Sequence, residues 1–187
     1  MFRKMNNIIS VMILTATLLA GSTTLCRADL AQHLSEYQVK AAYMYNFTKY
    51  VDWPSHLFSS EKAPINVCII GKNPFGQAIE ALTGKVVRNR GIAVRHISRI
   101  DDVKEKHCHI LFVSGSEKAQ MKQILDATGT TGILTVSDIA SFARNDGMIG
   151  LVIIEGKVRF EINLKSAQHS GLRISSNLLR LATVVVE

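Results

Sequence analysis

Between residues 65 and 144, short apolar runs alternate with polar stretches of helical character. That alternation constrains the fold more than any other feature of the chain. Ile65-Asn-Val-Cys-Ile-Ile70, Ile92-Ala-Val-Arg-His-Ile97, Cys108-His-Ile-Leu-Phe-Val113 and Gly132-Ile-Leu-Thr-Val136 are each of strand length and rich in β-branched residues. Between them, Pro74-Phe75 opens a helix expected to reach Leu82, and Lys85-Val-Val87 reads as a short strand or a loop. Ser116 is expected to cap a helix to Ala127, with Glu117 at its positive end, and Ser137-Asp138 to cap a short helix to Arg144. Strands separated by helices pair in parallel and are covered on both faces.

The pattern changes on either side of this block. Ser35 to Val51 has helical spacing, with Val39, Ala42, Tyr43, Phe47 and Tyr50 near one face, and Trp53-Pro54 ends it. After the turn Asn145-Asp146-Gly147, Met148 to Ile154 and Lys157 to Ile162 read as two strands joined tightly at Glu155-Gly156. Val158, Phe160 and Ile162 share one face of the second strand; Arg159 and Glu161 share the other. Ser175-Ser176 is expected to open a final helix carrying Leu178, Leu179, Ala182 and Val185. The expected fold class is α/β: a mainly parallel sheet flanked by helices, with an antiparallel hairpin near the C-terminus.

The first 28 residues read differently. Arg3 and Lys4 precede an apolar run from Ile8 to Ala20, and small and polar residues lead to Cys26-Arg27-Ala28. This is the order of a secretory signal peptide, and the run falls short of the about 20 residues of a comfortable membrane span. Residues 1–28 are expected to be cleaved after Ala28, leaving 29–187 as a single domain. An uncleaved anchor is the alternative. A lipoprotein reading of Cys26 is weaker, because Thr23-Thr24-Leu25 lacks the expected small residue. Removing Arg3, Lys4 and Arg27 lowers the formal charge from +7 to +4, too mild a balance to suggest nucleic-acid binding. Two cysteines remain, Cys68 and Cys108. In an oxidising compartment they form a candidate bridge; two buried free thiols are the alternative.

Motifs of catalysis are sparse. Gly71-Lys-Asn-Pro-Phe-Gly76 stands where a phosphate cradle would, but lacks G-x-G-x-x-G and the Lys-Ser/Thr ending of a P-loop. His107, Cys108 and His109 lack metal-ligand spacing, since on a strand Cys108 faces away from the two histidines. Val113-Ser-Gly-Ser-Glu117 does not match G-x-S-x-G. Asp138, Asp146, Glu155 and Glu161 are each accounted for as cap, turn or strand surface. No catalytic residue, metal site or cofactor is expected, and a hydrolase is the least favoured class. What remains is binding. Tyr43, Tyr45, Phe47, Tyr50 and Trp53 form either core or an interface stripe. Arg159, Lys165, Arg173 and Arg180 form either solvated surface or a site for an anionic ligand or acidic partner.

Several blocks together carry a family resemblance: Val39-Lys-Ala-Ala-Tyr-Met-Tyr-Asn-Phe47 with Trp53-Pro54; Val67-Cys-Ile-Ile-Gly71 with Pro74-Phe-Gly76; Cys108 to Val113; Leu134-Thr-Val-Ser-Asp138; Gly147 to Asn163; and Gly171-Leu-Arg-Ile-Ser-Ser-Asn-Leu-Leu-Arg-Leu181. Jointly they resemble the YfiR-like (DUF4154) family of bacterial periplasmic proteins. The resemblance implies an α/β fold, a homodimer, and repression of an inner-membrane, YfiN-like diguanylate cyclase through its periplasmic region. Release of the repressor would raise cyclic di-GMP and favour biofilm, under redox control or through an outer-membrane lipoprotein. It also implies that Cys68 and Cys108 occupy the family's cysteine positions on two strands; the second cysteine pair of some relatives is missing here. The candidate ligand- or partner-binding residues are Arg159, Glu161, Arg173 and Arg180. The alternative function is a periplasmic small-molecule sensor with its pocket near Arg159 and Arg173.

Overall fold

In the computed structural model, residues 32–33 and 36–186 are described. The signal-peptide segment read from residues 1–28 lies outside them. Within Met1–Glu36, residues 32–33 and 36 are helical. The remainder, from Tyr37, forms a second compact unit.

That unit begins with helix α1 (37–50) and a two-residue strand β1 (Val51–Asp52). Strand β2 (Ile65–Ile70) is buried along its whole length. It is followed by α2 (Gln77–Glu80), β3 (Val86–Val87), β4 (Arg90–Ile97), α3 (Asp102–Glu105) and β5 (Ile110–Val113). Then come a 3-10 turn at Gly115–Gln120, α4 (Met121–Thr128), β6 (Leu134–Ser137) and a 3-10 turn at Phe142–Arg144. The C-terminal part contributes β7 (Ile149–Ile154), β8 (Lys157–Asn163), α5 (Leu164–His169), β9 (Arg173–Ile174), α6 (Ser176–Leu179) and β10 (Val184–Val186).

Eight strands form one sheet in the order β10-β8-β7-β6-β5-β2-β4-β3. The β4/β2/β5/β6/β7 block is parallel, the β7–β8 and β3–β4 pairs are antiparallel, and β10 returns parallel to β8. β1 and β9 form a separate antiparallel pair. The expected α/β fold, with its parallel sheet, flanking helices and hairpin, is therefore present.

Two apolar layers follow from the period of two along each strand. Val67 and Ile69 of β2 and Ile110 and Phe112 of β5 join Met44 and Phe47 of α1 and Ile79 of α2 in the larger core. Cys68 and Ile70, Leu111 and Val113 face the other way, toward Val103 of α3 and Ile124 and Leu125 of α4. The sheet is thus sandwiched between helices on both faces.

The hairpin forms at Glu155-Gly156, both with positive φ (50° and 71°), the geometry that two-residue turns between twisted strands require. Its alternation is as read: Val158, Phe160 and Ile162 are buried, Arg159 is exposed and Glu161 intermediate.

Four local expectations are corrected. α1 buries Lys40, Ala41, Met44, Phe47 and Thr48, while Val39 and Ala42 are exposed; the apolar stripe is rotated from the one expected. Ser114, not Ser116, caps the helical segment after β5, its hydroxyl accepting from Ser116 N. Ser137 ends β6 rather than opening a helix, and a 3-10 turn at Phe142–Arg144 stands where the helix was expected to end. The final helix stops at Leu179, and Val184–Val186 is a strand. Three consecutive valines favour extended backbone, and the free edge of β8 supplies the pairing. Four elements went unread, β1, α3, α5 and β9, and Val51, expected at the end of the first helix, lies in β1. α5 is capped by Asn163 Oδ1, which accepts from Ser166 N at 2.9 Å.

Rotation of α1 brings Lys40 inside, where Asp138 meets it. Lys40 Nζ and Tyr37 OH each donate to Asp138 Oδ2 at 2.6 Å, joining α1 to the loop after β6. Both charged side chains are almost fully buried. Lys40→Met should destabilise the protein by about 3 kcal/mol in urea unfolding, because it strands a buried carboxylate. Adding Asp138→Asn should restore more than half of that loss.

Candidate functional site

The most densely constrained polar region surrounds the entrance to β5. Asn66 of β2 organises it. Its side-chain Nδ2 donates to the carbonyls of Lys106 (3.1 Å) and His107 (2.9 Å), and its backbone carbonyl accepts from His109 N at 2.9 Å. His107 has a positive φ of 49°, so the strand alternation expected for residues 107–109 does not hold there. The result carries Cys108 to Cys68, with a disulfide between them, Cα atoms 5.8 Å apart and a sequence separation of 40. The bond lies within the smaller core, beneath α3 and α4.

His109 sits beside it with only 3% of its surface exposed. Nδ1 accepts from Asn66 N at 3.1 Å, the ring stacks on Phe58 at 4.3 Å, and the Trp53 indole donates to its carbonyl at 3.1 Å. The Arg90 guanidinium covers the other member of that stack, 3.8 Å from the Phe58 centroid. Nε2 has no hydrogen-bond partner among the described residues. Burial first, then the charge of Arg90, lower the His109 pKa from 6.5 to about 4; the Leu57 carbonyl opposes them without completing a hydrogen bond. His109 is therefore a neutral spacer at pH 7, with a ring nitrogen already engaged.

The strand order reverses between β2 and β5, since the chain runs from β2 out to β4 and returns to β5 on the other side. The crevice at such a point is where open α/β sheets bind ligands. Here the chain's own side chains occupy it. Ser116 Oγ accepts from Lys72 N at 3.0 Å and donates to Glu117 Oε1 at 2.8 Å. A Cβ at Gly71 (φ +87°) would collide with both side chains, so glycine is required there.

The residues singled out for binding are spread over separate elements. Arg159 is exposed on β8, opposite Val152. Glu161 lies two residues on, 3.9 Å from Arg144. Arg173 is exposed on β9 opposite Asp52, whose carboxylate is taken by Arg88. Arg180 follows α6 and donates to Asn177. A cavity of about 590 Å³ lies elsewhere, lined by Arg144, Asp146, Asn163, Lys165, His169 and residues of α4, and does not include Arg159, Arg173 or Arg180. Lys165 and His169 reach it together because they are four apart on α5. Sequence reading missed this grouping because α5 itself was not read.

Fold and site together define a three-layer α/β protein with a disulfide-pinned central sheet. Compared with known families, residues 37–183 match DUF4154, described as YfiR/HmsC-like. The match covers most of the chain, and the protein belongs to that family. The family is regulatory rather than catalytic, and membership supports a role in cyclic di-GMP signalling in general terms. Among solved structures, the ABC domain in complex with L-Trp from Streptococcus pneumonia is similar at 10% identity and a TM-score of 0.47, covering 65% of this chain and 55% of that one. The chain thus spans about half of that protein, and no functional argument rests on so loose an overlap.

Because the folded pKa of His109 is depressed, its contribution to stability is fully present above pH 6.5. It is lost as pH falls from 6.5 through about 4. The lowering corresponds to at most about 3 kcal/mol at 1.36 kcal/mol per pKa unit. Urea unfolding at a series of pH values should show this loss in the wild type and a flatter profile in His109→Gln.

Proposed function

We propose that the protein is a periplasmic negative regulator. It binds the periplasmic region of a membrane-bound, YfiN-like diguanylate cyclase and holds it inactive, restraining cyclic di-GMP production and biofilm formation. The observation that carries this reading is the family match over residues 37–183. Three features agree with it. Residues 1–28 read as an export signal. A disulfide suits an oxidising compartment. At the point where the strand order reverses, Ser116 bonds to Lys72 N and to Glu117 of the same chain.

Regulation would proceed by population shift. The repressor favours one state of the cyclase, and any signal that binds the released repressor more tightly frees the enzyme. Homodimer formation and capture by an outer-membrane lipoprotein belong to this proposal. The bridge closes a loop of about 40 residues. In the chain-entropy account it stabilises the fold by roughly 4 kcal/mol.

A second reading, a small-molecule sensor, draws on the cavity beside α5, whose volume and mixed lining suit a metabolite. It differs from the earlier expectation in placing the ligand near Arg144, Lys165 and His169.

The test is a deletion strain carrying the wild type or the Cys68→Ala, Cys108→Ala pair. Loss of the wild-type chain should raise cyclic di-GMP several-fold, and crosslinking in the periplasm should recover a membrane protein with a cyclase domain. Unchanged cyclic di-GMP on deletion would sink the regulator reading. The double variant should melt at lower temperature. If it nevertheless represses equally in oxidising and reducing media, the redox link fails while the repressor role stands.

A further inference from the structure

The β7–β8 hairpin extends past its neighbours, and its phase of hydrogen bonding can be worked out. Asn163 N donates to Met148 O at 2.8 Å, so Met148 and Asn163 are a bonded pair. In an antiparallel ladder every second pair is bonded. The next are Gly150 with Glu161, Val152 with Arg159 and Ile154 with Lys157. The Phe160 carbonyl confirms the phase, since it turns away from β7 to accept from Thr183 N at 2.9 Å. Leu151 and Ile153 therefore direct their N–H and C=O groups to the opposite edge of β7. That edge pairs with β6 at Ile149 and Gly150, and because Gly150 is turned to β8, the pairing of Ser137 with Gly150 is made by Leu151 N–H donating to the Ser137 carbonyl. Beyond that bond, the Leu151 carbonyl and both main-chain groups of Ile153 have no strand partner among the described residues.

The side chains at this edge are unlike those of a protected edge. Ile153 is 50% and Ile154 42% exposed, on opposite faces of the hairpin. Edges left free in soluble proteins usually carry proline, inward charges or a covering loop. Beside Val152 and Ile154, on the same face, stand Arg159 and Lys157, both exposed and neither in an ion pair among the described residues.

We infer that the free edge of β7 at Leu151–Ile154 is a strand-addition site for an extended segment of a partner protein that alternates apolar and acidic residues. Main-chain bonds to the Leu151 carbonyl and to both groups of Ile153 supply the pairing, apolar side chains cover Ile153 and Ile154, and carboxylates lie within reach of Lys157 and Arg159. A second copy of this chain fits less well, because four residues of edge bury far less than the about 1,000 Å² of a stable interface. The inference deepens the binding role proposed above by assigning its surface. A synthetic strand serves as the probe, so the result is independent of which protein the partner is.

The protein as isolated from cells is titrated against a fluorescent eight-residue peptide alternating valine and glutamate, and against its lysine-for-glutamate counterpart. The glutamate peptide should bind at least tenfold more tightly. Ile153→Pro removes an outward N–H without touching the ladder to β8, and should weaken binding at least tenfold. The Lys157→Glu, Arg159→Glu pair should weaken it several-fold. Amide exchange checks the geometry without any variant. The Ile153 amide should exchange rapidly in the free protein and slow on peptide addition, while Leu151, Val152 and Ile154 stay protected throughout. Equal binding of both peptides, no binding of either, or protection of the Ile153 amide in the free monomer would overturn the inference. So would sedimentation showing a dimer that Ile153→Pro dissolves, which would make a second copy the occupant.

Discussion

Burial of β2 on both faces is the constraint from which the rest of the structure follows. A strand with six consecutive buried residues has no solvent face, so it needs a layer of helices on either side and a strand on either edge. β4 and β5 supply the edges. α1 and α2 close one face through Met44, Phe47 and Ile79; α3 and α4 close the other through Val103, Ile124 and Leu125. The one polar residue of the strand, Asn66, faces the smaller core, and its hydrogen-bonding groups fix the approach of the next strand. That approach delivers Cys108 to Cys68 and buries His109 against Phe58. A single polar position in an otherwise apolar strand thereby decides both where the covalent tie forms and why the adjacent histidine stays neutral.

The same economy of polar groups bears on the site. Ser116 and Glu117 bond to one another at the strand-order reversal, and Asp138, just after β6, bonds to Lys40 and Tyr37. Exposed cations stand at the carboxyl ends of the strands at Lys72 and Lys118, and others lie on the β7–β8 hairpin, around the cavity beside α5 and at β9.

The strand–helix alternation was legible because period and length are local properties. Ile65–Ile70 and the Glu155-Gly156 hairpin needed no information beyond a few residues on either side. The C-terminal valines were misassigned because a helical count over Leu178, Leu179, Ala182 and Val185 ignored the open edge of β8, more than twenty residues earlier. α1 was recognised but rotated: the burial of Lys40 depends on Asp138, 98 residues away, and no periodicity reveals such a partner. Arg159, Glu161, Arg173 and Arg180 looked like one group because they are close in sequence, whereas the fold distributes them over different elements.

By itself, then, the sequence determined the class of fold, the order of its layers and the hairpin, since these follow from hydrophobic period, strand length and turn chemistry. It also carried the family resemblance. The tertiary structure alone decided which polar groups are spent on one another and which remain free. Burial and hydrogen bonding join residues by distance in space, so the Cys68–Cys108 bond, the Lys40–Asp138 pair, the Ser116 contact with Lys72 and the unpaired edge of β7 exist only once the sheet has assembled.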